Sequence, residues 1–383
     1  MEASARPMGN TAGKPVKKKV LFLLEAFDKG GIEKVTLDIV NNLDPKKYDI
    51  TVQTFWFGGY CQAQVHDNVK VIPFFFRRYV RGIIRLIDYL PPRLLYRLFV
   101  HDDYDVEIAA SDGGAAKVIS GSTNKKAKKV CWVHMDVMKR GSQLKEFRNA
   151  ETAKPIYNKF DVIAPVSEAC AESFQEKFGC DYLISVKRNP LPVDEILRKS
   201  SESFPFVKTN GIKIACIGRL VEQKGFDRLL IACRRVIDDG MSDFTVHIAG
   251  DGPKRAELEQ TIHKLGLQET VYLYGYCSNP YSMLRQADVF VLSSRDEAFS
   301  LVVGESLIVG TPVVATDCCG VREWLEDDKF GRIVQNSTDG IYDGLSAIIQ
   351  NPEILTQFRA RIPEAQEKLA FQKALDDFEE LLE

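Results

Sequence analysis

The sequence contains almost no net charge and no long hydrophobic run. Its 51 lysines and arginines against 53 aspartates and glutamates leave a formal charge of −2. Any attraction to nucleic acid or to an anionic membrane therefore has to come from a local patch. No apolar stretch reaches the roughly 18 residues of a membrane-spanning helix, so we predict no such segment. These absences favour a soluble globular protein with no nucleic acid partner.

The cysteines follow neither a metal-binding nor a disulfide pattern. There are nine, an odd number, with no C-x-x-C spacing, and Cys131 and Cys216 fall within predicted strands. Reduced thiols of this kind are typical of a cytosolic protein, so we predict a cytoplasmic location. Residues 1–16 lack an apolar segment long enough for a signal peptide. We interpret them as a disordered tail, either native or a remnant of cloning.

Buried strands alternate with helices along the chain, which predicts an α/β fold with mostly parallel sheets. At 383 residues the chain exceeds the size of a single hydrophobic core, and two domains are expected. The polar, turn-rich sequence SSESFP separates the two halves. We predict a tail over 1–16, a first domain over 17–190, a linker over 191–210, a second domain over 211–369 and a closing helix over 370–383.

The most informative stretch, residues 288–316, is typical of a strand, a loop, a helix, a turn and a second strand. Glu297 lies in the loop, and Glu305 follows eight residues later, at a point that we expect about two turns inside the helix. Ser300 is expected to cap the helix, whose first N–H groups could hold an anion. Two carboxylates so placed could bind the hydroxyls of that ligand. A lone E-x7-E spacing, however, is more often a pair of ordinary exposed glutamates.

Two further loops carry groups that suit a phosphate. Gly30 and Gly31 lie between a predicted strand and a predicted helix, where the lack of a Cβ brings backbone N–H groups close to an anion. Arg219 and Lys224 lie five residues apart in another strand-to-helix loop. A guanidinium binds phosphate oxygens in a bidentate way, and a lysine adds a mobile charge. Taken alone, two glycines or two surface cations are weak evidence.

Three motifs occur together in the second half: the E-x7-E stretch, the sequence IGRLVEQKGF at 217–226 and the sequence IAGDGP at 248–253. In order and spacing they resemble the retaining GT-B glycosyltransferases of the glycogen-synthase-like type (group 1 or family 4 glycosyltransferases). The resemblance extends, more loosely, back to the sequence GGIE at 30–33. It implies two Rossmann-like domains facing across a cleft, with a C-terminal helix that crosses back to the first domain.

The resemblance also implies roles for individual residues. Glu305 would hold the ribose hydroxyls of a nucleotide-sugar, and Glu297 would orient the sugar. Arg219 and Lys224 would hold the diphosphate and offset the charge that develops as the glycosidic bond breaks. Further donor contacts are expected from glycine turns and backbone groups, namely Gly30, Gly31, Gly218, Gly250, Tyr276, Phe299, Ser300, Leu301 and Val302.

A histidine and a carboxylate pair call for separate interpretations. His134 ends a predicted strand, and the family's strand-end histidine near the donor sugar implies a catalytic role for it. The family often has His-Thr-Asp there, whereas Met135 stands in the middle of this motif. Asp103-Tyr104-Asp105 has the form of a metal-binding D-x-D, but its second Asp leads directly into a strand. We therefore predict neither metal nor cofactor, with a UDP-sugar as the favoured donor.

The segment Phe74–Val100 is basic and aromatic throughout. It carries one acid, Asp88, against six arginines, a local charge of +5; these are Arg77, Arg78, Arg81, Arg85, Arg93 and Arg97. Arginines among apolar side chains suit an anionic membrane surface, although a helix that packs its apolar side on the domain is the alternative. We expect a peripheral protein on the cytoplasmic membrane face, with a lipid-linked or membrane-anchored glycan as acceptor.

Retention of anomeric configuration is implied by the resemblance alone. Because neither glutamate has an obvious nucleophile's environment, we favour front-side attack. Two other functions stay open on this evidence. One is a soluble GT-B glycosyltransferase with a small acceptor, and the other is a nucleotide-sugar-binding protein without catalysis.

Overall fold

Each half of the chain folds around its own parallel β-sheet. A computed structural model describes residues 16–27, 30–56, 59–76, 89–138, 150–179, 181–207 and 211–383. Within these ranges each sheet has six strands, and all the pairings between them are parallel. Parallel strands need crossover connections, and helices supply them on both faces of each sheet.

The first sheet has the order β3-β2-β1-β4-β5-β6, and the second has the order β12-β11-β10-β7-β8-β9. Counted within its own domain, each is the doubly wound Rossmann order, which confirms the predicted fold class. The strands are Lys18–Leu24 (β1), Tyr48–Trp56 (β2), Lys70–Phe76 (β3), Val106–Ala109 (β4), Lys128–Val133 (β5), Val162–Pro165 (β6), Ile212–Ile217 (β7), Phe244–Ala249 (β8), Val271–Gly275 (β9), Val289–Leu292 (β10), Val313–Thr316 (β11) and Gly331–Val334 (β12).

Helices lie between the strands and at the C-terminal end. In the first half they are Gly31–Asn42, Pro92–Phe99, Gly114–Ile119, Ala150–Tyr157, Glu168–Phe178 and Val193–Ser200. In the second half they are Phe226–Asp238, Arg255–Lys264, Pro280–Gln286, Leu301–Ile308, Val321–Leu325, Thr338–Gln350, Glu353–Lys368 and Phe371–Glu379. Short 3₁₀ turns cover Gln62–Gln64, Glu222–Lys224 and Glu380–Leu382.

Strand β1 shows why the strands read as continuous apolar runs. Val20, Phe22 and Leu24 belong to one core cluster, while Leu21 and Leu23 belong to another on the opposite face. Because side chains alternate across a strand, a strand covered by helices on both faces has to be apolar at every position.

The C-terminal helix Phe371–Glu379 returns to the first domain, as the sequence predicts. Phe378 is fully buried there, with ring centroids 6.1 Å from Phe22 and 4.9 Å from Trp132. The Lys18 ammonium donates to the carbonyl of Leu382 at 2.6 Å, which fastens the end of the chain to β1. The helix thereby joins the second domain to the core of the first.

The carboxyl ends of the two sheets face each other. Ser167, just after β6, donates to the carbonyl of Ala298, in the loop after β10, at 3.1 Å. The backbone N–H of Glu168 donates to the Glu323 carboxylate at 2.7 Å. Ligands of doubly wound domains bind at the carboxyl ends of the strands, so the cleft between the two sheets is where a functional site is expected.

Candidate active site

Glu297 and Lys224 form an ion pair in the second domain. The Lys224 ammonium donates to Glu297 Oε1 at 2.6 Å, and the Ser294 hydroxyl donates to the same oxygen at 2.6 Å. Both charged side chains are mostly buried, with exposed fractions of 19% for Lys224 and 10% for Glu297. The two predicted residues, from the loops after β7 and β10, therefore lie side by side at the cleft.

Backbone and side-chain hydrogen bonds hold these two loops together. The N–H of Arg295 donates to the carbonyl of Gln223 at 2.7 Å, and the Gln223 amide donates back to the carbonyl of Asp296 at 2.9 Å. The guanidinium of Arg295 forms a bidentate pair with Asp227 at 2.7 and 2.6 Å. Arg295 is therefore structural, and it fixes the loop that presents Glu297.

Glu305 lies in the helix Leu301–Ile308 and is 4% exposed. As its fifth residue, it is just over one turn inside the helix rather than the two turns that we expect from the sequence, because three of the eight positions from Glu297 to Glu305 precede the helix start at Leu301, which is where we expect it. Glu305 Oε1 accepts a hydrogen bond at 2.6 Å from the ammonium of Lys34, which also donates to the Tyr281 hydroxyl at 2.6 Å. Lys34 belongs to the first domain, so this contact crosses the cleft.

The helix Leu301–Ile308 presents an open N-terminus to the cleft. Ser300 occupies the N-cap position as predicted, but its hydroxyl does not make the predicted capping bond. Within the described ranges, the N–H groups of Phe299–Val302 donate no hydrogen bond. The ring of Phe299 packs on that of Trp324 with centroids 4.5 Å apart. Free N–H groups at a helix start attract an anion.

A second helix start, that of Gly31–Asn42, lies opposite the first. A Cβ added to Gly31 would come within 3.7 Å of the Leu301 side chain. Gly30 has an extended backbone that any residue can adopt, and an added Cβ would meet the Glu33 carboxylate at 2.1 Å, the end of a flexible side chain that can shift. The short distance from Gly31 to Leu301 shows that two positive helix ends converge in the cleft.

Arg219 is exposed just beyond β7, and no carboxylate among the described residues pairs with it. Its neighbour Gly218 lies against the Lys224 stem, since an added Cβ would be 3.3 Å from two of its carbons. Gly250 has φ +152, and a Cβ there would lie 1.9 Å from the carbonyl oxygen of Gly218. Only glycine fits where the ends of β7 and β8 approach this closely.

Tyr276 follows β9 and is 50% exposed. Its ring meets that of Tyr60, from the first domain, edge-on with centroids 6.3 Å apart. Gly275, with φ +74, turns the chain immediately before it. The loop that we predict to hold the nucleobase therefore follows the edge strand β9, and its Tyr276 contacts Tyr60 of the first domain.

His134 follows β5, and burial lowers the pKa of its imidazole to about 3, so the ring is neutral at physiological pH. The ring packs on Trp132 with centroids 4.3 Å apart. Its Nε2 atom is buried and has no partner in the described part of the chain. A neutral ring at a strand end can exchange a hydrogen bond with a ligand, but it carries no charge.

A small cavity of about 150 Å³ opens at the carboxyl end of the first sheet, lined in part by Met135, the residue after His134. It lies between the ends of β1 and β4, the switch point of the doubly wound sheet, where ligands bind. Its lining includes Glu25, Glu33, Ser111, Asp112 and Met135. The first domain therefore offers a polar recess opposite the helix Leu301–Ile308.

The basic segment is described only in part. Arg77, Arg78, Arg81 and Arg85 lie outside the described residues. Arg93 and Arg97 lie on the helix Pro92–Phe99 and are exposed, as are Leu94 at 43% and Leu98 at 41%. Two arginines and two leucines thus share the outward face of this helix. No helix in the described ranges is both long and apolar enough to cross a bilayer.

The surroundings of the Asp103-Tyr104-Asp105 motif and of other possible metal ligands can also be described. The Asp105 carboxylate accepts from the backbone N–H of Lys19 at 2.8 Å, which ties β4 to β1 and agrees with setting aside the D-x-D motif. In the described ranges, no three His, Cys, Asp or Glu side chains come together as a metal site would require.

Sequence reasoning missed three contacts of the site. Lys34, Tyr281 and Ser294 each bond to one of the two predicted glutamates or to its partner. Lys34 follows the sequence GGIE, so a cation three residues after Gly31 was a signal within reach. Tyr281 and Ser294 had none, because their role depends on how separate elements pack.

Comparison with known proteins identifies the family. Residues 29–195 match the family model described as Glycosyltransferase Family 4, and residues 199–368 match the one described as Glycosyl transferases group 1. Together the two models span nearly all of both sheets. The chain belongs to the group 1 glycosyltransferases of GT-B fold.

Relatives and solved structures agree with this assignment. An uncharacterized glycosyltransferase of Haemophilus influenzae is 24% identical over 96% of this chain and 100% of its own length. A Campylobacter jejuni N-acetylgalactosaminyltransferase that acts on a diphospho-undecaprenol glycan is 29% identical over 53% of this chain and 55% of its own. HepE of Anabaena, solved with UDP and glucose, shares the fold with a TM-score of 0.75 at 19% identity over 95% of this chain and 99% of that one.

Sucrose-phosphate synthase of Thermosynechococcus elongatus also shares the fold. Its TM-score is 0.77 at 14% identity, over 95% of this chain and 98% of that chain. At such low identities the likeness concerns the fold alone.

Proposed function

We propose that this glycosyltransferase moves a hexose from a UDP-sugar, with retention of configuration and without a metal ion, to a lipid-linked or membrane-anchored glycan at the cytoplasmic membrane face. The observation that carries the proposal is that the Lys224–Glu297 pair, the exposed Arg219 and the N-terminus of the helix Leu301–Ile308 all lie at the carboxyl end of the second sheet. Together they present positive charge and free N–H groups beside buried carboxylates, as a sugar diphosphate requires.

The donor would lie across the end of the second sheet. Its diphosphate would bind Arg219, Lys224 and the free N–H groups of the helix start. Glu305 would accept hydrogen bonds from the ribose hydroxyls, and Glu297, already oriented by Lys224 and Ser294, would accept them from the sugar. The base would rest near Tyr276, on backbone groups of the turn after β9.

The chemistry would proceed on one face of the sugar. The bond from the anomeric carbon to the phosphate oxygen breaks, and the acceptor oxygen forms the new bond from the same side. The acceptor's proton passes to the departing phosphate oxygen. Lys224, Arg219 and the helix N-terminus stabilise the negative charge that gathers on that phosphate. Because this charge is larger in the transition state than in the bound donor, these groups stabilise the transition state more and lower the barrier.

The membrane-anchored acceptor is supported by the outward face of the helix Pro92–Phe99 and by relatives. Exposed Arg93 and Arg97 beside Leu94 and Leu98 suit lipid phosphates and acyl chains respectively. One relative acts on a diphospho-undecaprenol glycan, and LpsD of Rhizobium meliloti, 31% identical over 35% of this chain, acts in lipopolysaccharide core biosynthesis.

A thermal-shift panel of UDP-, GDP-, ADP- and dTDP-sugars, each with EDTA or magnesium, tests the donor assignment. We expect a UDP-sugar to raise the melting temperature equally in both conditions, and Glu305→Ala to lose that shift. A shift seen only with magnesium would contradict the metal-free proposal. No shift with any donor would contradict the donor site itself.

A further inference from the structure

Lys34 binds, across the cleft, the residue assigned to the ribose. Its ammonium lies 2.6 Å from Glu305 Oε1 and 2.6 Å from the Tyr281 hydroxyl, and 5.1 Å from the centroid of the Tyr281 ring. Glu305 and Tyr281 both belong to the second domain, while Lys34 lies in the first turn of the helix Gly31–Asn42. Among the described residues of the first domain, Lys34 is the cation that pairs with Glu305, and the Asp38 carboxyl on the same helix lies close enough to interact with both charges.

The ion pair between Lys34 and Glu305 is partly shielded from water. The Glu305 side chain is 5% exposed and the Lys34 side chain 32%, so the pair is partly removed from water. Burial lowers the pKa of Lys34, but the charge of Glu305 and the contact with Tyr281 outweigh it and raise the pKa above its ordinary range. Lys34 is therefore a permanent cation, and it balances the charge of a carboxylate that would be costly to bury alone.

We propose that Lys34 is a positioning residue that orients Glu305 for the donor ribose and couples ribose recognition to closure of the cleft. The inference rests on the proposed role of Glu305 in donor binding. A carboxylate has about four acceptor positions. Lys34 uses one oxygen, Oε1, and its pull fixes the rotamer that turns the other oxygen toward the ribose hydroxyls.

Coupling follows from the two partners lying in different domains. When the domains separate, Glu305 loses Lys34, and its carboxylate is left without that cation and that fixed orientation. Closure restores the ion pair and the oriented carboxylate together. A ligand that bonds to the oriented carboxylate favours the closed form, and the closed form in turn binds that ligand more tightly.

A cycle of ligands and variants tests the proposal. Calorimetry would give dissociation constants for UDP and for 2′,3′-dideoxy-UDP, which lacks both ribose hydroxyls, with the wild type, Lys34→Met, Lys34→Arg and Glu305→Ala. Arg188→Met is the matched control, because Arg188 also pairs across the domains, with Glu323 at 3.0 Å rather than with Glu305.

In the wild type we expect UDP to bind at least about tenfold more tightly than the dideoxy analogue, the value of a hydrogen bond to a charged acceptor. Lys34→Met should reduce that ratio about fivefold or more and change the affinity for the dideoxy analogue less than about twofold. Lys34→Arg should restore part of the ratio, and Arg188→Met should leave it unchanged. Steady-state kinetics should show a raised KM for the donor with a smaller change in kcat.

Three results would overturn the inference. If Lys34→Met weakened both ligands equally, Lys34 would be a general structural contact. If the ratio persisted in Lys34→Met but vanished in Glu305→Ala, Glu305 would bind the ribose without help from Lys34, and the donor proposal would stand alone. A wild type without any preference for UDP would instead remove the ribose role of Glu305 and the role of Lys34 with it.

Discussion

Lys224 pairs with Glu297 and is also proposed to bind the diphosphate of the donor. It neutralises Glu297, which accepts its hydrogen bond at 2.6 Å, and it stands where a diphosphate would bind. On binding, the ammonium can keep Glu297 and gain a phosphate oxygen, because it has three N–H donors.

Lys224→Ala should lower kcat by at least about tenfold, because a donor to developing charge is commonly worth a few kcal/mol. Lys254→Ala is the matched control, since Lys254 is a partly exposed lysine of the same domain paired with Glu257. Turnover is measured on protein whose melting temperature shows that it is folded. An unchanged kcat in folded Lys224→Ala would disprove the assignment.

The sequence could predict which residues of the second domain form the site but not what they bond to. Glu297, Lys224 and Arg219 lie in recognisable loops, and the loops meet because β7 and β10 are neighbours in the sheet. Lys34 and Glu305 are 271 positions apart. Their contact depends on how two domains dock, which no local pattern encodes.

The turns at the ends of β7 and β8 show how an element can require glycine for space rather than for φ alone. Gly250 and Gly240 both have positive φ, at +152 and +85. A Cβ at Gly250 would lie 1.9 Å from the carbonyl oxygen of Gly218, whereas a Cβ at Gly240 would meet nothing within 4 Å. A substitution at Gly240 therefore tests backbone strain alone, whereas one at Gly250 tests backbone strain together with steric overlap.

We expect Gly240→Ala to lower the free energy of unfolding by about 1 kcal/mol, the cost of a left-handed backbone. Gly250→Ala should cost about 1 to 3 kcal/mol more, because the neighbouring strand end has to move. Urea denaturation of both variants measures the difference. Equal losses would show that the two loops do not approach as closely as the structure indicates.

The helix Pro92–Phe99 carries the described part of the proposed membrane contact. Replacing Arg93 and Arg97 by serine should weaken binding to anionic vesicles by about 2 kcal/mol, or about 30-fold, at about 1 kcal/mol for each arginine. Binding of both forms should weaken as salt rises, less steeply for the variant. Vesicle flotation at two salt concentrations measures this.

A control of equal charge keeps this test specific. Arg234 and Arg255 lie on helices of the second domain and pair with Asp238 and Glu259 within their own helices. Replacing these two by serine should leave vesicle binding unchanged. If both double variants lost binding equally, or neither did, the helix Pro92–Phe99 would be an ordinary surface helix, and a small soluble acceptor would be favoured.

The sequence predicted whether a segment forms a helix or a strand better than it predicted the contacts at the ends of these elements. The alternation of apolar runs and helical periodicity was enough for a doubly wound fold, since both faces of each sheet are buried. Ser300 was correctly placed at the helix start, yet its hydroxyl caps nothing. Capping depends on a side-chain rotamer, and the surroundings decide that rotamer once the helix is packed.

The two domains meet closely enough in one place to be joined covalently. Cys170, in the helix Glu168–Phe178 of the first domain, and Cys319, after β11 in the second, have Sγ atoms 3.4 Å apart. Cys319 is partly exposed, so a reagent can reach it. A disulfide needs its sulfur atoms about 2.05 Å apart, a shift that small side-chain rotations supply.

Mild oxidation with diamide, which takes up the two hydrogens, should therefore form a Cys170–Cys319 disulfide, found by peptide mapping. Cys319→Ser is the control and should lose that crosslink. Saturating UDP should speed its formation, because a closed cleft keeps the sulfurs together. Pairing of Cys319 with Cys318 instead, without any crosslink between domains, would contradict the closed arrangement.

At the scale of the molecule, the sequence predicted the two-domain architecture and the returning C-terminal helix. The boundaries drawn at 190, 211 and 370 stay predictions. What it could not predict is the cleft itself, where Tyr60 faces Tyr276 and Lys34 faces Glu305. These contacts belong to neither domain alone, and they are where the proposed donor binding and domain closure would meet.

The anomer of the sugar released from a UDP-sugar tests the central claim most directly. Water can take the place of the acceptor hydroxyl in the proposed step, so proton NMR of freshly released sugar needs no knowledge of the acceptor. We predict that an α-linked UDP-sugar yields the α anomer first, in EDTA, and that Lys224→Ala suppresses its release. First appearance of the β anomer, or release only with a divalent metal, would contradict the account.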